Sequence, residues 1–175
     1  MTIKKIAIQM DPIENIDLNF DTSFLLIMEA QKRGYDIFYY NPIDLEYDNN
    51  VLKAWGFFIN VFDKNDSHFK YISEEKELIN LSDMDVILIR QDPPFDMNYI
   101  TSTYLLEQLP SSTVILNNPI SIRNSAEKIY PIKFQKYMPP TIITQNIETI
   151  KKFLEENKDI VTKPLYGNGG EGIFR

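Results

Sequence analysis

Four of the six glycines in the chain fall between residues 167 and 172, in the run Gly167-Asn168-Gly169-Gly170-Glu171-Gly172, and Lys163 precedes the first of them by four positions. Glycines at relative positions one, three and six satisfy the literal spacing of a dinucleotide-binding turn. That motif requires a helix to open at the third glycine, so that its N-terminus faces a pyrophosphate, whereas Ile173-Phe174 reads as a strand. A glycine loop between two strands is a different device, a flap whose backbone N–H groups fold over phosphates. Its plain alternative is a glycine-rich hairpin. Lys163, a cation in an otherwise apolar stretch before Pro164, is placed to meet the same phosphates, and Lys128 is a second candidate for that anion. Either lysine alone reads as a solvated surface residue; the glycine loop gives the pair its weight.

A second gathering of polar residues stands where apolar runs end. Asp11, Glu14 and Asn15 follow one run, Arg90, Asp92 and Asp96 another, and Asn117 and Asn118 a third. In an open parallel sheet, loops beyond the carboxyl ends of strands line the ligand crevice. Arg90 is the best single candidate there, because a guanidinium holds a carboxylate in a bidentate pair. An ion pair with Asp92 or Asp96 is the structural alternative, and Asp11-Pro12 is equally a helix-initiating turn. No nucleophile and base are paired: His68, the one histidine, lies in a polar stretch, and no serine sits in a strand-to-helix elbow. No catalytic residue is assigned, and no carboxylate spacing identifies a metal site or a calcium loop.

The elements that must position these groups follow from periodicity and punctuation. Ile3 to Met10 reads as a buried strand stopped by Asp11-Pro12. Phe24, Leu25, Ile27, Met28 and Gln31 fall at helical spacing, with Thr22 or Ser23 as cap and Gly34 as stop, and Tyr35 to Tyr40 is a second strand. That β-α-β opening implies parallel pairing with a right-handed crossover. Val51 to Phe62 and His68 to Ile72 read as strands of an antiparallel excursion, with Trp55 in core or edge packing. Val86 to Ile89, a helix from about Asn98 to Leu109 and a strand at Thr113 to Leu116 form a second β-α-β unit. Ser125 to Tyr130 reads as a helix start that Pro131 must kink or re-initiate. Thereafter a strand at Thr141 to Thr144, a helix at Glu148 to Asn157, a strand at Ile160 to Leu165, the glycine loop and a strand from Ile173 are expected.

The expected fold class is therefore α/β. An open, mostly parallel sheet occupies residues 1–122, and the opening of an α+β domain occupies residues 123–175. The chain has 175 residues, 43% of them apolar, enough for a substantial core. Its net charge of −7 speaks against a nucleic-acid surface. The charge is unevenly spread: residues 1–122 carry 9 Lys+Arg against 19 Asp+Glu, and residues 123–175 carry 9 against 6. A polyanionic ligand such as a nucleotide would favour the later part, although solvated faces give the same asymmetry. With no cysteine there is neither a disulfide framework nor a thiolate metal site. The lysine-containing start lacks the apolar core of a signal peptide, and no run approaches membrane-spanning length. The expectation is a cytoplasmic protein with neither a nucleic-acid nor a membrane partner.

Four segments in order resemble one family, the bacterial-type glutathione synthetases, which are ATP-grasp ligases. These are Met10-Asp11-Pro12-Ile13 with Asn15; Glu29-Ala30-Gln31-Lys32-Arg33-Gly34-Tyr35; Asp85 through Arg90-Gln91-Asp92-Pro93-Pro94-Phe95-Asp96; and Glu127-Lys128 followed by Lys163-Pro164-Leu165 through Arg175. The third is the most specific. The resemblance implies a pre-ATP-grasp domain at 1–122 and the start of an ATP-grasp domain at 123–175. It also implies a reaction, in which γ-glutamylcysteine, glycine and ATP give glutathione, ADP and phosphate by way of an acyl phosphate, with Mg2+ bridging the ATP phosphates. By the same resemblance Lys128, Lys163, Gly167, Gly169 and Gly170 look like ATP-binding residues, Asp11, Asn15 and Arg90 like substrate-binding ones, and the protein is expected to be a homo-oligomer.

In that family the magnesium ligands and the second wall of the nucleotide clamp lie downstream of the glycine loop, where this chain stops. The expectation is a truncated form, inactive alone. A non-catalytic binding module for a small molecule or a partner is the alternative from another class. A dinucleotide-dependent oxidoreductase rests on the glycine spacing only, and a strand rather than a helix after Gly172 would remove it.

Overall fold

The computed structural model describes residues 4–18, 20–63, 67–167 and 169–175. Ile3, the first residue of the expected opening strand, and Asn168, within the glycine loop, lie outside the described residues. The chain divides into two compact units, Met1–Arg123 and Asn124–Arg175.

The first unit is built on a sheet whose strand order is β3-β4-β2-β1-β7-β8. Strands β1 (Lys5–Gln9), β2 (Asp36–Tyr40), β7 (Val86–Ile89) and β8 (Val114–Leu116) are parallel to one another. Helix α1 (Thr22–Lys32) makes the crossover from β1 to β2, and α2 (Met97–Leu106) that from β7 to β8. The parallel strands are nearly unbroken apolar runs because both of their faces are covered. Ile6, Ile8, Ile37 and Tyr39 pack with Phe24, Ile27 and Ala30 of α1 on one face. Ala7, Phe38, Tyr40, Ile87 and Ile89 pack with Leu106 of α2 on the other.

Strand β4 (Val51–Val61), 11 residues long, supplies the antiparallel excursion and meets β2 through Phe57, Phe58 and Ile59. Its first half pairs with β3 (Leu45–Asp48) on one side and β6 (Glu77–Asn80) on the other, and its second half pairs with β2 and β5 (Phe69–Tyr71). Gly56 sits where the pairing changes. A Cβ there would strike the Tyr39 carbonyl oxygen and come within 2.7 Å of the Phe38 ring and 3.0 Å of Tyr40 Cβ. Trp55 is exposed and lies outside both core clusters, its Nε1 donating to Glu46 Oε2 at 3.4 Å. Gln31 fastens α1 to the same strand, donating to the Val61 carbonyl at 2.9 Å and accepting from the Val61 N–H at 2.7 Å.

Several expected elements differ. The cap of α1 is Asp21, whose carboxylate accepts from the N–H groups of Ser23 and Phe24, and not Thr22 or Ser23. Residues 119–124 form a short helix, α3 (Pro119–Asn124), and Tyr130–Tyr137 is 3-10 in character where an α-helix start was expected from Ser125. Pro131 withholds its N–H from any helix reaching back from that point. In the second unit α4 (Ile147–Asn157) is present, capped by Asn146. Residues 141–144 and 160–165 are not strands; a single antiparallel bridge, Thr162 to Phe174, stands in their place. Apolar β-branched residues make a strand only when a neighbour pairs with them. No described residue from 124 to 175 is buried, so the core lies wholly in the first unit. Among the described residues no helix is long and apolar enough to cross a membrane.

Candidate functional site

Two groups of side chains carry chemistry, one in each unit. The first lies at the carboxyl ends of β1 and β7, neighbouring parallel strands that bring the two following loops side by side. The Arg90 N–H continues the ladder to the Gln9 carbonyl at 2.8 Å, and the Asp11 carboxylate accepts from the Asp92 N–H at 2.6 Å. Asp11 thus ties the first loop to the second. Asp96 is used otherwise, capping α2 through the N–H groups of Asn98 and Tyr99. Asn118 likewise turns its carbonyl to the Ser121 N–H in α3.

The Arg90 guanidinium pairs with neither Asp92 nor Asp96, the structural alternative to a ligand-binding role. Its Nε donates to Ser23 Oγ at 2.9 Å and its Nη2 to Thr22 Oγ1 at 2.8 Å, and among the described residues it forms no ion pair. Since Asp21 takes the first N–H groups of α1, the two hydroxyls behind it are left to accept from the guanidinium. Arg90 is therefore oriented without being neutralised.

The loop carrying Asp11 and Asn15 is held from below by aromatic side chains. Tyr39 accepts from the Ile13 N–H and donates to the Asp11 carbonyl, at 3.4 and 3.5 Å. His68 Nε2 donates to the Ile13 carbonyl at 2.7 Å, its ring edge-on to Phe24 and Phe69. Tyr71 donates to Glu14 Oε1 at 2.6 Å. Burial pushes the Tyr39 phenol up to about 12 and raises the Tyr71 phenol as well, the Glu14 carboxylate adding to the latter. Asn15 stands exposed at the end of this turn, its side chain without a hydrogen-bond partner among the described residues. It is not joined to Arg90.

Beneath the second loop, the fully buried Gln9 side chain donates to Gln91 Oε1 and to Ser102 Oγ, and accepts from the Tyr40 hydroxyl at 3.1 Å. A glutamine closing the apolar run Ile-Ala-Ile-Gln-Met is the signal that betrays this network, because a polar side chain inside a covered sheet must find partners. Nothing in the sequence marks the Thr22–Ser23 pair as partners of a residue 67 positions away.

The second group is the glycine loop. Lys128 Nζ donates to the Gly167 carbonyl and stands 3.9 Å from Glu127. Gly169, Gly170 and Gly172 have φ of +58°, +82° and +67°, which favour glycine, and the places where side chains would stand on Gly169 and Gly170 are open. Lys128 and the loop are brought together. Lys163 is exposed just before the loop and, among the described residues, has no hydrogen-bond or ionic partner. No helix opens after Gly172; Phe174 bridges back to Thr162, which removes the dinucleotide reading. An ammonium on a neutral carbonyl, beside open glycine backbone, is a fitting cradle for phosphate. For magnesium the described residues are not fitting: no three His, Asp or Glu side chains among them are grouped to hold a metal ion.

Two family models match the chain: that of the prokaryotic glutathione synthetase N-terminal domain over residues 4–123, and that of the prokaryotic glutathione synthetase ATP-grasp domain over residues 127–175. Glutathione synthetases of Brucella melitensis and Mesorhizobium japonicum are 46% and 47% identical over 170 residues, 97% of this chain and 54% of each relative. That of Salmonella typhimurium is 42% identical over 172 residues, 98% of this chain and 54% of the relative. The chain spans about half the length of the curated relatives it matches.

Proposed function

The chain belongs to the prokaryotic glutathione synthetase family, and from that premise we propose that it is the amino-terminal part of an ATP-dependent ligase joining γ-glutamylcysteine to glycine. The observation that carries the reading is the Lys128–Gly167 contact, which sets a cation against a glycine loop in the segment matching the ATP-grasp domain. Residues 1–122 form the substrate-side domain and residues 123–175 the nucleotide side. A cytoplasmic location, where ATP is plentiful, goes with this reading, and assembly into a homo-oligomer is carried by family membership alone.

The chemistry divides between the two groups. The cysteinyl carboxylate attacks the terminal phosphorus of ATP, releasing ADP and leaving an acyl phosphate. The glycine amine then attacks the acyl carbon, phosphate departs, and the amine gives up a proton as the amide forms. Lys128 and Lys163 place positive charge against the negative charge of the transferred phosphoryl oxygens, and the backbone of Gly167, Gly169 and Gly170 approaches the phosphates as no side-chain-bearing residue would. Gly172 keeps the way back to the Thr162–Phe174 bridge clear, since a Cβ there would meet Pro164 Cγ at 2.7 Å. Arg90 holds a substrate carboxylate, and Asp11 and Asn15 line the same loops. The described residues supply no ligand set for magnesium, and no step is assigned to it.

Calorimetry on the chain separates these roles. ATP and γ-glutamylcysteine are each expected to bind saturably, ATP losing affinity in Lys128→Gln and the dipeptide in Arg90→Ala. A folded chain that binds neither contradicts the proposal, and one that binds the dipeptide alone supports a binding module in its place.

A further inference from the structure

Arg90 is half-buried at the end of β7. Of its five N–H donors, one goes to Ser23 Oγ and one to Thr22 Oγ1, so the remaining three have no partner among the described residues. The acceptors are neutral hydroxyls. A carboxylate in their place would spend the charge, whereas hydroxyls fix the plane of the guanidinium and leave the charge for a ligand. Ser23 is only 3% exposed, too buried to be an incidental solvent-facing contact. Asp21 already satisfies the N–H groups of Ser23 and Phe24, which leaves both hydroxyls without a capping duty.

Resting on the ligase reading above, we propose that Thr22 and Ser23 are positioning residues for a carboxylate subsite at Arg90, and that this subsite takes the glutamyl α-carboxylate of the dipeptide. Of the dipeptide's two carboxylates, the cysteinyl one must offer a lone pair to phosphorus. A guanidinium clamped across its oxygens would withdraw that pair. The glutamyl carboxylate does not react, so it is the one that gains from a fixed, bidentate partner. The loop bond from Asp92 N–H to Asp11 keeps the segment after Arg90 in register.

The test reads both binding and the guanidinium itself. Ser23→Ala and Thr22→Val are each expected to weaken γ-glutamylcysteine binding roughly three- to tenfold, with Thr22→Ser restoring it. 4-Aminobutanoylcysteine, which lacks only the glutamyl carboxylate, should bind the wild-type chain and the variants alike. In nitrogen-15 spectra the Arg90 Nε–H should shift on adding γ-glutamylcysteine, stay put with the decarboxylated analogue, and exchange faster with water in Ser23→Ala at an unchanged melting temperature. An Arg90 signal that moves with L-glutamate in a chain that ignores γ-glutamylcysteine supports the carboxylate subsite and overturns the ligase reading. A signal that moves with ATP and with no carboxylate, or variants that bind γ-glutamylcysteine as tightly as wild type, overturns the subsite.

Discussion

Lys128 Nζ donates its hydrogen bond to the backbone carbonyl of Gly167, across 39 residues of sequence. That hydrogen-bond partner is neutral, and the nearest carboxylate, the exposed Glu127, stands 3.9 Å away. Replacing the lysine by glutamine keeps a donor and removes the charge. Lys128→Gln is expected to weaken ATP binding by about tenfold or more, the scale of a charge-assisted bond to phosphate, with binding of γ-glutamylcysteine unchanged. Calorimetry with each ligand reads this.

The loop glycines should differ among themselves. Alanine at Gly169 or Gly170 meets no atom within 4 Å and carries only the left-handed backbone cost of about 1–2 kcal/mol. Gly172→Ala adds a contact 2.7 Å from Pro164 Cγ at a φ of +67°. ATP affinity is expected to fall further for Gly172→Ala than for Gly170→Ala; equal losses would show that the Pro164 contact does not shape the loop.

Gly56 tests the sheet. A methyl group there runs into the Tyr39 carbonyl oxygen, a backbone atom held between two strands, as well as the Phe38 ring. Gly56→Ala should lower unfolding stability by about 3 kcal/mol, at the upper end of overpacking costs, as read by urea denaturation.

The tyrosines set an alkaline limit. Burial raises the phenols of Tyr39, to about 12, and of Tyr40 and Tyr71. The folded state holds these protons after an unfolded chain, with a tyrosine pKa of about 10, would release them. The stability they contribute is present in full below about pH 10 and is lost as pH rises through the raised values. Of the ten tyrosines, these three should form phenolate only as the near-ultraviolet circular dichroism collapses. Full ionisation near pH 10 with the fold retained would contradict their burial.

The uneven core makes a further expectation. Amides of β1, β2 and β7 should be the slowest to exchange, and those of residues 124–175, where no described side chain is buried, should exchange far faster. Native-state hydrogen exchange on the whole chain checks it.

What the sequence discloses follows from how local each signal is. Ile6-Ala7-Ile8, Ile37-Phe38-Tyr39-Tyr40 and Val86-Ile87-Leu88-Ile89 declare themselves because strands covered on both faces need unbroken apolar runs. Helices α1 and α2 declare themselves by apolar spacing. Strands β3 and β6 do not, being four residues each, Leu-Glu-Tyr-Asp and Glu-Leu-Ile-Asn, and existing only through pairing with β4. The same dependence misleads at Thr141 to Thr144 and Ile160 to Leu165, where strand-forming residues have no neighbour beyond the Thr162–Phe174 bridge. Asp21, Thr22 and Ser23 are all competent caps, and only the structure shows that Asp21 takes the duty. That choice decides the partner of Arg90: in place of the alternative ion pair with Asp92 or Asp96 stand two hydroxyls, distant in sequence and adjacent only once β7 lies beside β1. The crowding of glycines at residues 167–172 was legible from residue types, while the fastening of that loop to Lys128 required the fold.

Glutathione synthesis itself is the most direct measurement. The chain is combined with the portion of the Brucella melitensis glutathione synthetase that lies beyond its match to this chain, and ADP and glutathione are quantified together. Equal amounts of the two, formed only when γ-glutamylcysteine, glycine and ATP are all present and lost in Lys128→Gln, are the predicted result. A stable assembly that releases ADP without making glutathione, or that makes neither, would contradict it.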